Sequence, residues 1–188
     1  MSQLGWKIDL VKCIGCHACA VACKAENNTY PQQSPLIVKN GRAVRVDYRR
    51  VITRDSGVYP NVSRIFVSMS CNHCAEPACL KSCPVGAISK RESDGIVLID
   101  QELCIGCKYC VWACPYGAPQ FNPNTKKVEK CTFCVHRIDA GLKPACVTTC
   151  VGRALTYESD FNSSQSGQNA PDGFSDPKHT IPSIHFDV

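Results

Sequence analysis

Cys13-Ile-Gly-Cys16-His-Ala-Cys19-Ala-Val-Ala-Cys23 and Cys104-Ile-Gly-Cys107-Lys-Tyr-Cys110-Val-Trp-Ala-Cys114-Pro115 are the stretches whose reading decides the fold. Both are C-x2-C-x2-C-x3-C. The frame returns twice in altered form: Cys71, Cys74, Cys79 and Cys83 gain two residues in one gap and end before Pro84, and Cys131, Cys134, Cys146 and Cys150 hold eleven residues between their second and third members. Sixteen cysteines in 188 residues thus fall into four groups of four, with none left over. The repeat extends upstream. Ile8-Asp9 stands before the first group as Ile99-Asp100 stands before the third, and Gly15 matches Gly106.

Cysteines two residues apart in one tight loop suit a shared metal better than separate bridges, because a disulfide demands specific Cα and Cβ separations. Structural zinc takes two separated C-x2–4-C pairs. Three cysteines within seven residues, followed by a fourth, match the bacterial ferredoxin run for [4Fe–4S] binding. The sequence reads as a carrier of four [4Fe–4S] clusters. Zinc stays open for the fourth group alone, whose two pairs would suit it if read in isolation. Gly15 and Gly106 let the loop bend and turn its N–H groups toward sulfur. Cluster binding should supply much of the folding free energy, so the apo-protein should be largely unfolded.

In that fold the fourth cysteine of a run ligates the other cluster. The expected ligand sets are therefore Cys13, Cys16, Cys19 and Cys150 (first cluster); Cys131, Cys134, Cys146 and Cys23 (second); Cys71, Cys74, Cys79 and Cys114 (third); and Cys104, Cys107, Cys110 and Cys83 (fourth). The expected architecture is α+β: two ferredoxin-like modules of two clusters each, the second inserted into the first. The outer module takes 1–63 and 115–158, with an insertion over 24–63; the inner takes 64–114; an extended C-terminal arm covers 159–188. Short strands are expected at Trp6–Asp9, Arg64–Ser70 and Ile96–Asp100. The fourth cysteine of each group is expected to open or sit in a short helix, with Pro84 and Pro115 in first turns. Asn40-Gly41 signals a hairpin turn, with a strand over Ala43–Tyr48. The arm, rich in Ser, Asn, Gly and Pro, has too little periodic apolar content to pack on its own module, and either wraps a partner or hangs loose.

Net charge is +5 with basic residues scattered, which argues for a solvated surface and no nucleic-acid partner. No apolar run reaches the ~20 residues of a membrane helix, and no export signal is recognisable at the N-terminus. No Gly-x-Gly-x-x-Gly occurs, and the five histidines share no metal spacing. With no catalytic constellation and no open iron, catalytic residues are expected to be none. His17 and His73 lie inside cysteine loops as shields or hydrogen-bond partners. His136 reads as a surface residue. Tyr109 and Trp112 are expected to pack over a cluster, and Lys108 and Lys130 to stand near clusters as cations.

The order of the four groups, Ser70-Cys71-Asn-His-Cys74-Ala-Glu-Pro-Ala-Cys79, Cys83-Pro-Val-Gly-Ala-Ile88, Cys114-Pro-Tyr-Gly-Ala-Pro-Gln120 and Lys130-Cys-Thr-Phe-Cys134 resemble the iron–sulfur subunit of molybdopterin oxidoreductases, of the dimethyl sulfoxide, polysulfide, thiosulfate, tetrathionate and arsenate reductase type. The resemblance covers about residues 5–158. It implies a complex in which a molybdopterin subunit acts on substrate, this subunit transfers electrons, and a membrane anchor subunit exchanges them with quinol. Membrane association would then come through a partner, on either the periplasmic or the cytoplasmic side. In several relatives an aromatic residue replaces one third-group cysteine; here all are present. The rival readings are a free-standing polyferredoxin shuttle and a zinc-stabilised interaction module.

Overall fold

The computed structural model describes residues 2–29, 38–39, 42–43 and 46–188. The chain runs β1 (Gly5–Asp9), α1 (Ala18–Glu26), β2 (Val38–Lys39), β3 (Arg42–Ala43), β4 (Arg50–Val58), β5 (Asn61–Met69), α2 (Ala78–Lys81), β6 (Ile88–Lys90), β7 (Val97–Ile99), α3 (Tyr109–Ala113), β8 (Gln120–Asn122), β9 (Lys127–Glu129), α4 (Val135–Asp139), α5 (Ala145–Thr148), β10 (Leu155–Glu158) and β11 (Ile184–Asp187). It is a mixed α and β structure of short elements. Among the described residues no helix is long and apolar enough to cross a membrane.

Sequence repetition becomes structural repetition at the strand ends. β1 alternates buried Trp6 and Ile8 with half-exposed Lys7 and Asp9, as a strand with one covered face must. The Asp9 carboxylate then accepts the N–H groups of Val11 and Lys12, turning the chain into the first cysteine loop. Asp100, just after β7, accepts those of Glu102 and Leu103 and turns the chain into the third.

β1 is the middle strand of a three-stranded sheet, antiparallel to β10 with Trp6 opposite Tyr157, and parallel to β11 with Ile8 opposite Phe186. Leu4, Trp6, Ile8, Phe133, Leu155, Ile184 and Phe186 form the larger core around it. A smaller core of Cys79, Ile88, Val97, Cys110 and Val128 gathers between the two-stranded hairpins β6–β7 and β8–β9. α1 packs against α5, and α2 against α3, so the helices of the first and fourth groups are neighbours, as are those of the second and third. β4 and β5 form the longest hairpin, in register from Arg50 opposite Met69 to Val58 opposite Asn61. Its base is buried at Val67 and Met69, while its tip at Val58 and Tyr59 stands in solvent.

Strands appear at Trp6–Asp9, at Arg64–Met69 as the second half of β5, and at Val97–Ile99. The Asn40-Gly41 turn lies outside the described residues, yet β2 and β3 on either side of it pair antiparallel, Val38 opposite Ala43. The Ala43–Tyr48 strand falls partly outside them as well; its described end, 46–48, is not strand.

Three expectations are corrected. The helices begin one cysteine early: Cys19, Cys79, Cys110 and Cys146 lie inside α1, α2, α3 and α5, and of the fourth cysteines only Cys23 is helical. Pro84 and Pro115 accordingly follow helices rather than open them, where a residue lacking an N–H stops the helix from continuing. Pro77 and Pro144 are the prolines at helix starts, as N-caps of α2 and α5. Tyr109 and Trp112 do not cover a cysteine set. Three apart on α3, they share its outer face, and Trp112 is 76% exposed. The 159–188 arm is irregular for most of its length, but it packs on the rest of the protein. β11 completes the central sheet, Phe161 N–H donates to Gln3 O, and Ser183 N–H donates to Asn72 O.

Ile184 and Phe186 of β11 are each 1% exposed. Phe186→Ala should therefore cost about 3–5 kcal/mol and lower the melting temperature, whereas Val188→Ala, at a side chain 76% exposed, should leave it in place. Coincident melting curves for parent and Phe186→Ala would show that the arm adds nothing to the core.

Candidate metal centres

Four loops carry the first two cysteines of each group, and all four place the residue before the second cysteine in the left-handed region: Gly15 at φ 69°, His73 at 43°, Gly106 at 69° and Phe133 at 58°. This conformation curls the loop so that N–H groups face inward. Phe133 N–H donates to Cys131 Sγ over 3.4 Å. Glycine adopts it without penalty, whereas His73 and Phe133 hold it under strain of order 1–2 kcal/mol. Both are fully buried and packed edge to face, ring centroids 5.2 Å apart, so packing holds each against the strain.

Cys13, Cys16, Cys19 and Cys150 line one cavity of about 400 Å³, open in part to solvent. Cys19 Sγ lies 3.3 Å from Ser68 Oγ, and Leu155 N–H donates to Cys150 Sγ over 3.4 Å. Cys71, Cys74, Cys79 and Cys114 line a second, of about 350 Å³, with Asn72 and Thr180. Cys83, Cys104, Cys107 and Cys110 line a third, of about 300 Å³, walled by Val85, Ile88, Ile99 and Val128. Cys131, Cys134 and Cys146, all buried, gather with buried Cys23, and Cys131 and Cys146 belong to the larger core. Asn27 Nδ2 donates to Cys23 Sγ over 3.6 Å.

The electrostatics of these sets follow from burial. Desolvation first, then neighbouring sulfurs, pushes the thiols of Cys74 and Cys79 up to about 12 and those of Cys110 and Cys131 up to about 11; Cys13, Cys23, Cys114 and Cys146 move the same way. Protonated thiols are what a buried, metal-free quartet must hold; a metal centre replaces those protons and removes the repulsion. All sixteen cysteines are free of disulfides. Among the described residues no three His, Cys, Asp or Glu side chains close on one point as the ligands of a single ion do. Four thiols that line one cavity without closing on a single point fit a polynuclear iron–sulfur group better than one zinc.

The remaining candidates separate. His17 caps α1 at the exposed mouth of the first cavity. His73 is fully buried, its Nδ1 accepting Val97 N–H at 3.0 Å; burial, reinforced by the charges of Lys130, Arg49 and Lys90, holds it well below the usual imidazole range and therefore neutral. His136 sits at the surface, 2.8 Å from a Glu26 carboxylate oxygen. Lys108 Nζ lies 4.0 Å from the Phe121 ring centroid. Lys130 is buried, donating to Val97 O and Cys131 O. Trp6, Phe133 and Arg49 are functional neighbours that cysteine spacing does not reveal. Trp6 stacks on Phe133 at 3.9 Å and donates from Nε1 to Cys71 O at 2.9 Å, tying the first strand to two cysteine loops. For Phe133 a sequence signal does exist, since it occupies the slot that Gly15 and Gly106 fill.

A family model described as a 4Fe-4S dicluster domain matches residues 62–160. The sequence is 45% identical over 166 residues to a sulfite dehydrogenase subunit of Allochromatium vinosum, covering 84% of this protein and 69% of that one. It is 42% identical over 164 residues to an anaerobic dimethyl sulfoxide reductase chain of Escherichia coli, covering 83% and 73%. It is 46% identical over 147 residues to a tetrathionate reductase subunit of Salmonella typhimurium, covering 78% and 54%.

A Cβ at Gly106 would meet Lys126 O at 2.1 Å, one at Gly15 would meet the Phe66 ring at 2.5 Å, and one at Gly86, also at positive φ, would meet nothing. Gly106→Ala should cost the left-handed penalty plus about 1–3 kcal/mol of overpacking and reduce iron per chain. Gly15→Ala should do less, because a side chain yields more readily than backbone, and Gly86→Ala should keep full iron. Iron loss from Gly86→Ala equal to that from Gly106→Ala would remove loop crowding as the cause.

Proposed function

This protein belongs to the iron–sulfur electron-transfer subunits of molybdopterin oxidoreductases, and from that premise we propose that it carries four [4Fe–4S] clusters as a non-catalytic relay between a molybdopterin catalytic subunit and a membrane quinol-interacting subunit. The observation that supports this reading is that three cavities are each lined by four thiols, three from one group and one from another, and that Cys23 lies among Cys131, Cys134 and Cys146. A [4Fe–4S] cluster, when bound, supplies a one-electron couple tuned by hydrogen bonds, charge and exposure.

Cys13, Cys16, Cys19 and Cys150 would hold the first cluster; Cys131, Cys134, Cys146 and Cys23 the second; Cys71, Cys74, Cys79 and Cys114 the third; Cys104, Cys107, Cys110 and Cys83 the fourth. Neighbouring thiols support that order along the relay. Arg49 feels both Cys19 and the Cys131 quartet, Cys131 feels Cys71, and Cys79 feels Cys110. The packing of α1 on α5 and of α2 on α3 supports an inner module over 64–114 set within an outer one over 1–63 and 115–158. The two terminal quartets lie beside exposed apolar side chains, Val11, Ile14 and Val151 at one and Leu103, Ile105 and Trp112 at the other, which suits contact with two partners. Apolar walls limit the access of water to the buried sulfurs, and N–H groups donate to sulfur at Cys104, Cys131 and Cys150. Attachment to a membrane would come through the partner.

The anaerobically purified protein should be brown and carry about sixteen irons, four in each of four clusters. Alone it should accept electrons from dithionite yet turn over no sulfoxide, tetrathionate or sulfite. Cys23→Ser and Cys131→Ser should perturb one and the same cluster by electron paramagnetic resonance, and Cys13→Ser a different one. Spectra of Cys23→Ser that match Cys13→Ser would refute the crossed ligand sets, and stoichiometric zinc without sulfide would refute the whole reading.

A further inference from the structure

Arg49 is the most deeply buried charge in the described structure, 1% exposed, and no carboxylate among the described residues pairs with it. A guanidinium stays protonated in proteins, so its charge must be met by something other than the loss of a proton. Its hydrogen bonds to oxygen all go to neutral groups: Nη1 donates to Ser68 O and Ser68 Oγ at 3.1 Å each, and Nη2 donates to Ser70 Oγ at 2.9 Å. Its face lies 4.3 Å from the Trp6 ring centroid. Nε has no partner. A buried cation supported only by neutral dipoles and a ring is costly unless anionic charge stands close by.

The sulfurs around it provide that charge. Ser68 Oγ, which accepts from Arg49, has one hydrogen left to give, and Cys19 Sγ lies 3.3 Å from it. On the other side Cys146, Cys131 and Cys23 stand close enough for their charge to act on Arg49, and Trp6, which lies under the guanidinium, stacks on Phe133 between Cys131 and Cys134. The guanidinium therefore reaches one sulfur of the first quartet through a hydroxyl and stands beside the sulfurs of the second. Lys130, the other buried cation, lies instead beside Cys79 and Cys131.

We propose that Arg49 is a fixed positive charge shared by the first and second clusters, raising the potentials of both and reaching Cys19 through Ser68. This rests on the four-cluster reading above. When one electron enters either cluster, the added negative charge is met by a cation already in place, with no proton taken up or released by Arg49. Arg49 is a positioning and tuning residue: it transfers nothing itself.

The test is a redox titration of each cluster, followed by electron paramagnetic resonance, in the full-length protein with iron and sulfide counted first. Arg49→Gln should lower the reduction equilibrium of the first and second clusters at least tenfold, which for a one-electron couple is about 59 mV, and leave the cluster held by Cys104, Cys107 and Cys110 unmoved. Arg49→Lys, which keeps the charge, should hold both potentials nearer to the parent than to Arg49→Gln. Unchanged potentials in fully loaded Arg49→Gln, or an equal shift at all four clusters, overturn the proposal. Should Arg49→Gln fail to load, Ser68→Ala decides. It keeps the cation and removes the hydroxyl at Cys19, so it must lower the first cluster alone; no shift there overturns the relay. A parent protein with far fewer than four clusters fails the underlying reading instead, and the iron count separates the two failures.

Discussion

Gathering sixteen thiols, eight of them buried, within a 188-residue chain is the constraint on which the rest of the structure depends. Each buried thiolate loses solvation and repels its neighbours, which is why burial drives the thiols so far upward. A quartet therefore has two stable conditions, protonated or metal-bound, and only the second satisfies the inward N–H groups and the buried cations together. The regular elements are correspondingly slight. Most helices are four or five residues long, below the length at which a helix holds itself, and α2, α3 and α5 each carry a cysteine while α4 starts directly after one. Folding and metal binding are thus one process over much of this protein. The three-stranded sheet β10–β1–β11 is the chief exception, since its face is apolar in the ordinary way.

The left-handed residue before each second cysteine shows how one loop solution is reached by two routes. At Gly15 and Gly106 it is free of strain. At His73 and Phe133 the strain is offset by complete burial and by an aromatic cluster that Trp6 and Tyr157 extend. The glycine loops are local and repeat the strand–Asp–turn unit that precedes them. The other two are held by one another through tertiary packing. This divides the sites physically: the first and third groups carry the information for their loops within a dozen residues, and the second and fourth depend on the assembled core.

That division also accounts for what is legible in the sequence. Cysteine spacing points to the cluster loops, and hydrophobic alternation locates β1, β7 and the second half of β5. Helix positions come out one cysteine late because Pro84 and Pro115 have the look of first-turn residues, while Pro77 and Pro144, each directly before Ala-Cys, hold that place in the structure. The bulk of Trp112 suggests shielding, yet the period of α3 puts it on the face opposite Cys110. The C-terminal arm misleads because a strand of four residues, Ile184–Asp187, is too short to register as periodic and gains its partner from β1, far away in sequence. Arg49 is hidden for a similar reason. In sequence it is half of an Arg-Arg pair, and nothing local reveals that Arg49 turns inward while Arg50 reaches across to Tyr116 O.

The placement of charge gives the relay its gradient of environments. The two inner quartets lie between buried Arg49 and Lys130, cations held in a medium where a unit charge at 4 Å interacts by about 4 kcal/mol at an effective dielectric constant of about 20. The outer quartets face solvent and exposed apolar side chains, where the same charge would be screened within about 10 Å at ordinary salt. On the proposed reading, Arg49 and Lys130 tune the sites beside them from within the protein, Arg49 reaching the first as well as the second, whereas the exposed mouths are open to adjustment by whatever covers them. An electron carrier of this design has fixed interior steps and adaptable terminal ones. If partners dock at the two ends as proposed, a change of partner would need to alter only the apolar mouths around Ile14 and Ile105 and not the core.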